Sequence, residues 1–306
     1  MNFQQLRYVR EAVRNNLNLT EVAAVLYTSQ SGVSKQIKDL EDELGIELFV
    51  RSGKRLTGVT RAGDGAVEIV QRILMETENL RRYASQYVGV DSGRLVIAAT
   101  HTQARYTLPR VVEEFNRVFP KVTLELHQGT PRQVAIMISN GDADIGIASE
   151  ALNDAPAVRA YTCFSWNHQV VVPAGHPLLG RTPAGLADIA AYPLVTYNED
   201  FTGRKCVDAA FSQAGLAPDL RLTAMDADVI KTYVRRGLGV GIVAEMALED
   251  LDRDGLVVVD TDGPLFGSCT TMLGVRDGTF LPSFAHRFID MFAPGLGTDQ
   301  LASRPY

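Results

Sequence analysis

The run Leu19-Thr20-Glu21-Val22-Ala23-Ala24-Val25-Leu26-Tyr27-Thr28-Ser29-Gln30-Ser31-Gly32-Val33-Ser34-Lys35-Gln36-Ile37-Lys38-Asp39-Leu40-Glu41 is compatible with few folds. Its apolar residues keep helical spacing on both sides of a short polar break, which predicts two helices around a tight turn. In the second helix Val33, Ile37, Leu40 and Leu44 stand at i, i+4, i+7 and i+11, one face to bury. Ser29 is placed to cap the free N–H groups at its start. Val22, Ala23 and Leu26 give the first helix its inner face, and Ala23 is small enough for a close crossing. The outer side of the second helix carries Ser31, Ser34, Lys35 and Lys38, short and cationic groups that suit base edges and phosphates in a DNA major groove. Gln30 lies in the first turn, where its amide can meet adenine in a bidentate contact; Thr28 and Ser29 border it. Taken alone, the pattern also describes a helical hairpin with a solvated polar face.

The next segment narrows the choice. Leu44-Gly45-Ile46-Glu47-Leu48-Phe49-Val50-Arg51 predicts a strand, Ser52-Gly53-Lys54-Arg55 a turn, and Leu56-Thr57-Gly58-Val59 a returning strand. The result is a basic-tipped hairpin whose Arg51, Lys54 and Arg55 would touch phosphate or the minor groove. The Ala-Ala-x-x-Leu-x-x-Ser-Gln-x-x-x-Ser-x-x-Ile-x-x-Leu-Glu-x-x-Leu-Gly-x-x-Leu-Phe-x-Arg run from Ala23 to Arg51 resembles the winged helix-turn-helix of LysR-type transcriptional regulators. Ser31 stands where many members have proline, and a serine near a helix start is compatible with the same geometry.

Residues 1–63 hold nine Lys/Arg against seven Asp/Glu, within a chain of 306 residues whose net charge is −6. A basic reader on an acidic body fits a regulator that does not adhere to DNA indiscriminately. Cys163, Cys206 and Cys269 are scattered, with no C-x-x-C pair and no metal spacing to the five histidines; they read as buried free thiols in a reducing cytoplasm. No signal-type or membrane-length apolar run is present, so a cytoplasmic protein without membrane contact is expected. From Thr60, a plausible N-cap, to Tyr87 the chain lacks proline. Ala66, Val70, Ile73, Thr77, Leu80, Ala84 and Tyr87 form an a/d seam that predicts helix pairing between two copies, or packing of the helix on its own domain. Val88-Gly89-Val90-Asp91-Ser92-Gly93 breaks it and marks a hinge. The expected division is a winged helix-turn-helix at 1–59, a linker and dimerisation helix at 60–91, and an effector domain at 92–306.

Beyond the hinge the pattern alternates. Strands are predicted at 95–100, 122–127 and 143–148, with helices at 107–119 and 131–139; this βαβαβ order implies a parallel sheet covered by helices. A second set begins near His168, with strands at 169–172, 193–197 and 240–243 and helices at 205–213 and 229–236. A strand at 270–275 and a helix at 281–292 return to the first set. The fold class is therefore α/β with two lobes, about 92–165 with 266–294 and about 166–265, and Trp166-Asn167-His168 at the crossover. Ligands bind such sheets beyond the carboxyl ends of the strands. That rule selects Thr100-His101-Thr102-Gln103, Ser149-Glu150 and Phe201-Thr202-Gly203-Arg204, hydroxyls and an amide at helix starts where backbone N–H groups favour anions. The same hydroxyls also serve as ordinary caps.

Thr100–Tyr106, His127–Pro131, Tyr192–Tyr197, Phe201–Arg204 and Asp226–Arg235 resemble the CysB/Cbl branch of the LysR family, and with them nearly the whole chain. The resemblance implies a periplasmic-binding-protein-like effector domain and a regulator of sulfur assimilation and cysteine biosynthesis. It implies an effector site at Thr100, Thr102, Gln103, Ser149 and Thr202 for sulfate, N-acetylserine or O-acetylserine, with Ser149 where relatives often have threonine. Expected partners are promoter DNA, a second dimer in a homotetramer, and RNA polymerase. A regulator of sulfonate use is the alternative within this branch. Glu199 and Asp200, just before Phe201, depart from the branch and are expected to point to solvent. No cofactor, metal site or catalytic residue is assigned. Gly237-Leu238-Gly239-Val240-Gly241 follows a helix and precedes a strand, the wrong order for a dinucleotide loop. His101 and His127 have no nucleophile beside them. An acetyl-ester hydrolase in the cleft is the reading from another class, and it lacks a nucleophile–base signature; a DNA-bending protein without effector would leave the long α/β body without a role.

Overall fold

The computed structural model describes residues 1–87, 92–249 and 255–296, without the side chains of residues 86, 87 and 202. The chain divides into two compact units, Met1–Val88 and Gly89–Tyr306. Most of the expected hinge, 88–91, and the tail beyond 296 lie outside the described residues.

The first unit contains α1 (Phe3–Arg14), α2 (Leu19–Val25), α3 (Gln30–Leu44), the hairpin β1 (Phe49–Ser52) and β2 (Arg55–Val59), and α4 (Arg61–Tyr87). The sequence reading did not anticipate α1, although its start is specified locally. The Asn2 side chain accepts from the Gln5 amide at 3.0 Å, and Gln5 Oε1 accepts from the Asn2 amide at 2.9 Å, a reciprocal cap. Leu6, Val9 and Ala12 then face a core of Val22, Val33, Ile37, Leu40, Leu48 and Phe49. Burying each larger aliphatic side chain stabilises by about 1.5–3 kcal/mol. Leu44 does not belong to this core: it is exposed, because α3 ends there and Gly45, at φ +69°, turns the chain away.

Thr60 caps α4, its hydroxyl accepting from the Gly63 amide at 2.9 Å. A Cβ at Gly63 would lie 2.0 Å from the Leu48 carbonyl oxygen, so the helix reaches the hairpin only with glycine there. Val67, Val70 and Leu74 complete the first unit's core. The expected seam therefore splits. Val70 is buried within its own unit, Ala66, Ile73 and Thr77 are half-buried, and Leu80 and Ala84 are exposed; the Tyr87 side chain lies outside the description. A second apolar stripe, Ile69, Leu80 and Tyr83, faces outward.

The second unit is α/β. Its elements are β3 (Ser92–Ala99), α5 (Leu108–Val118), β4 (Lys121–Gln128), α6 (Pro131–Asn140), β5 (Ile145–Ala148), β6 (Val158–Pro173), α7 (Leu186–Ala190), β7 (Leu194–Tyr197), α8 (Thr202–Gln213), β8 (Leu220–Ala224), α9 (Ala227–Arg235), β9 (Val240–Ala244), β10 (Leu256–Val258), β11 (Ser268–Arg276) and α10 (Ser283–Phe292). The strands run β4-β3-β5-β11-β6-β9-β7-β8, with β10 beside β6. β3 is parallel to both neighbours, as is β7. β6 and β11 are antiparallel to each other and carry the chain between lobes. One lobe has its cores around Ile97, Phe115, Ile145 and Phe288 and around Val96, Val134 and Ile138; the other has them around Val171, Ile230 and Val243 and around Phe211, Leu194 and Ile242. α10 returns to the first lobe, where Phe288 meets Phe115 edge-on at 5.4 Å.

Three differences from the sequence reading stand out. β6 is continuous over 16 residues rather than starting near His168. The short elements α7, β8 and β10 were not anticipated. The helix expected from Thr107 is preceded by a π-helical turn, Gln103–Thr107, a form found often at functional sites. Among the described residues no helix is long and apolar enough to cross a membrane.

Candidate functional site

In the first unit, α3 presents one side to solvent. The Ser29 hydroxyl accepts from the Gly32 amide at 3.1 Å, as a cap should. Thr28, Gln30, Ser31, Lys35 and Lys38 are exposed, and Ser34 is half-buried. One groove is bordered by Asn18, Thr20, Gln30, Lys54 and Arg55, which brings the start of α3 next to the hairpin tip. Arg51 behaves differently from its neighbours. Its Nη2 donates to Glu41 Oε2 at 2.8 Å, and Glu41 Oε1 accepts from the Leu48 and Phe49 amides. This cation fastens the hairpin to α3, leaving Lys54 and Arg55 as the exposed charges of the tip. The sequence reading also passed over Tyr27. It is 97% exposed and left-handed at φ +52°, a conformation costly for a residue with a Cβ.

In the second unit, Thr100, Thr102, Gln103, Pro131, Ala148, Ser149, Trp166, Tyr197, Phe201, Gly203, Thr270 and Thr271 line a narrow cleft between the lobes. Thr100, Thr102, Gln103 and Ser149 from the sequence reading are brought together here, at the carboxyl ends of β3 and β5. Thr202 lies between the lining residues Phe201 and Gly203, but its side chain is outside the description. Thr270, Thr271, Trp166 and Tyr197 come from the crossover strands and from β7. Of these four, sequence reasoning singled out Trp166, and that for the lobe crossover, because strand pairing rather than local pattern carries the others to the cleft.

Among the described residues the lining has no charged side chain. Arg204, next along from Gly203, is buried and bound elsewhere: Nε to Asp208 at 2.7 Å and Nη1 to the Tyr197 carbonyl at 3.0 Å. Glu199 and Asp200 are exposed, as expected. Gln103 Nε2 donates to Thr271 Oγ1 at 2.8 Å, which fixes the amide's orientation. Gln103 Oε1 and Trp166 Nε1 are buried without a hydrogen-bond partner, and such atoms cost stability unless something satisfies them. The Tyr197 hydroxyl accepts from the Ala244 amide at 3.1 Å; burial, partly offset by bonds from Ala244 and Thr102, pushes this phenol up to about 12. Behind it lies His168, buried among Trp166, Tyr197 and Phe266. Burial pushes its imidazole down to about 4, so it is neutral near pH 7. The cleft can therefore hold a small polar or anionic ligand by hydroxyls, an amide and backbone N–H groups, without an ion pair.

Beyond Gln103 the π-helical turn reaches the other lobe. Tyr106 donates to Asp228 Oδ1 at 2.6 Å, and Lys231 Nζ lies 3.2 Å from the same carboxylate. Burial works to raise the Asp228 carboxyl, but Tyr106, Lys231 and Arg105 outweigh it and hold the group below its ordinary value. His101, Asp226 and Asp228 come within 4.8 Å of one another. Lys231 Nζ already pairs with Asp228, and Asp226 Oδ1 caps α9. His127 pairs with Glu125 at 3.0 Å on the surface. Gly237, at φ +76°, closes α9 as a helix stop.

Residues 3–64 match the family described as bacterial regulatory helix-turn-helix protein, lysR family, and residues 89–296 match the LysR substrate binding domain. The chain is 59% identical over 302 residues to the HTH-type transcriptional regulator SsuR of Burkholderia cenocepacia, covering 99% of this chain and 98% of that one. It is 50% identical to the regulator CysB of the same organism, over 97% of this chain and 94% of the other. The crystal structure of the cofactor-binding domain of the Cbl transcriptional regulator superposes with a TM-score of 0.66 at 45% identity, covering 69% of this chain and 92% of that one. With the reading helix, the basic hairpin and the two-lobed cleft in place, these matches make the chain a member of the LysR family of transcriptional regulators, in the group that contains CysB, Cbl and SsuR.

Proposed function

We propose that this LysR-type regulator controls genes of sulfur assimilation and cysteine biosynthesis, and that it senses an acetylserine, sulfate or both in the interlobe cleft. The observation that carries the reading is the convergence of Thr100, Thr102, Gln103 and Ser149 on an uncharged cleft with unsatisfied polar atoms at Gln103 and Trp166. Thr202 is assigned to the same site. O-acetylserine is the carbon skeleton that awaits sulfide, so its accumulation would report sulfur shortage. The ligand acts by binding one arrangement of the lobes better than another.

On the DNA side, Thr28, Ser29, Gln30, Ser31, Ser34, Lys35 and Lys38 are proposed to meet the major groove, and Lys54 and Arg55 the backbone or minor groove. Arg51 acts in this scheme through its bond to Glu41. The chain is proposed to work in the cytoplasm as a dimer of dimers, through the outward stripe of α4, and to contact RNA polymerase. Control of sulfonate use is the second reading, favoured by the higher identity to SsuR than to CysB.

The test is fluorescence anisotropy on promoter fragments from both gene sets, with and without O-acetylserine, N-acetylserine and sulfate. The expected outcome is tighter binding to one set than to random DNA, changed by one of these ligands and unchanged by it in Thr102→Ala. Replacing both Lys54 and Arg55 by alanine should flatten the salt dependence by about one log–log unit per lost phosphate contact. An unchanged slope removes the hairpin from the interface.

A further inference from the structure

Cys206 on α8 and Cys269 on β11 are 63 positions apart in sequence, yet their sulfurs lie 3.3 Å from each other. This is more than 1 Å beyond a disulfide of about 2.05 Å, so the two side chains must move together for the bond to form. The two thiols differ. Cys206 is half-buried and Cys269 fully buried. Cys163, the third, is 3.7 Å from the Tyr161 carbonyl, and burial pushes it up to about 12. The pair sits directly behind the cleft wall: Gly203, three residues before Cys206, and Thr270, the neighbour of Cys269, both line the cleft. Cys269 also stands opposite Trp166 in the β11–β6 register.

We propose that Cys206 and Cys269 are a peroxide-responsive modification site that closes to a reversible disulfide, tying α8 to the crossover strand beside the cleft. Cys206, the more accessible thiol, is attacked first. Its thiolate takes one oxygen from hydrogen peroxide, forming a sulfenic acid and releasing hydroxide, which takes up the proton the thiol lost. The Cys269 sulfur then displaces the sulfenic oxygen. The S–S bond forms, the S–O bond breaks, and the oxygen leaves as water with the Cys269 proton. In sum, two thiols and one peroxide give one disulfide and two waters. Burial of Cys269 makes it a poor first nucleophile and a protected second one, the order expected of a reacting and a resolving thiol. Glu150 accepts from the Thr270 amide with Oε1, and its negative charge works against a Cys269 thiolate, so Cys269 keeps its proton until that proton leaves with the sulfenic oxygen as water. Such cross-links in a reducing compartment are transient and signal oxidant.

The experiment treats the full-length reduced protein with hydrogen peroxide, counts thiols and maps cross-linked peptides by mass spectrometry. The expected result is loss of two of the three thiols, a mass lower by two hydrogens, and one intramolecular Cys206–Cys269 link that dithiothreitol reverses. Unfolding followed by Trp166, the chain's single tryptophan, should shift upward in the linked form. Cys163→Ser should behave like the parent chain, and Cys206→Ser should leave Cys269 reduced. Because a change at buried Cys269 could disturb folding, Cys206→Ala serves as the second variant with the same expectation. Oxidation of Cys206 to sulfinic acid without a link, a link that involves Cys163 or a second copy, or three thiols that survive excess peroxide would each overturn the proposal.

Discussion

His168 ties the chemistry of single residues to the stability of the effector unit. Its imidazole is buried in an aromatic cage, both ring nitrogens lack partners, and its pKa falls to about 4. The unfolded chain takes up a proton near pH 6.5, whereas the folded one does so only near 4. Stability is therefore full above the unfolded value and is lost as pH falls toward the folded one. From about pH 7.5 to about pH 5 this group alone should remove about 2 kcal/mol. Urea unfolding followed by Trp166 fluorescence at both pH values checks it. His168→Gln should show a pH dependence smaller by about that amount, and an equal dependence in both chains would mean that His168 is not buried neutral. The neighbouring glycine is part of the same packing: a Cβ at Gly203 would lie 2.6 Å from His168 Nε2. None of this was legible in the sequence. The sequence points to Gly203 for the cleft and to Trp166 and His168 for the crossover, but nothing in it shows the aromatic cage that buries the imidazole.

Among the elements, α3 was the most legible, because a cap, a buried stripe and a polar stripe all lie within its own residues. Its misread position, Leu44, failed at the helix end, where periodicity continues in the sequence after the backbone has turned at Gly45. α1 also had a local signal in Asn2 and Gln5, which the reading overlooked. β6 had such a signal only at its end, in Val170-Val171-Val172; its first half, half-buried and shared between two lobes, has no apolar run to mark it. The turn before α3 supplies a prediction that separates function from folding. Tyr27→Gly relieves a left-handed side chain but gives the unfolded chain more freedom to lose, so the two effects oppose and stability should stay within about 1 kcal/mol of the parent. DNA affinity should drop nonetheless, as anisotropy would show; unchanged affinity would leave Tyr27 outside the interface. α4 supplies another. Leu80 is 68% exposed, so Leu80→Arg should leave the first unit folded while sedimentation shows smaller assemblies. An unaltered assembly would place the dimer contact elsewhere.

At the scale of the whole molecule, two compact units follow from two kinds of pattern, helical spacing up to residue 88 and strand–helix alternation after it. The first lobe and half of the cleft were legible, because the carboxyl ends of β3 and β5 are set by local order. Thr270, Thr271 and Tyr197, and the thiol pair behind them, depend on how β6, β7 and β11 are arranged in the sheet, which pairwise strand contacts decide. The central claim is that this cleft holds the effector. It is tested most directly by thermal unfolding of the purified protein, followed by Trp166 fluorescence, with O-acetylserine, N-acetylserine, sulfate and serine, beside Thr102→Ala. A ligand at about one hundred times its dissociation constant should add about 2.7 kcal/mol. The account predicts such a rise with an acetylserine or sulfate but not with serine, lost in Thr102→Ala. No rise with any of them, in a protein that still binds DNA, would contradict the sulfur-sensing cleft and leave a LysR-family regulator with a different effector.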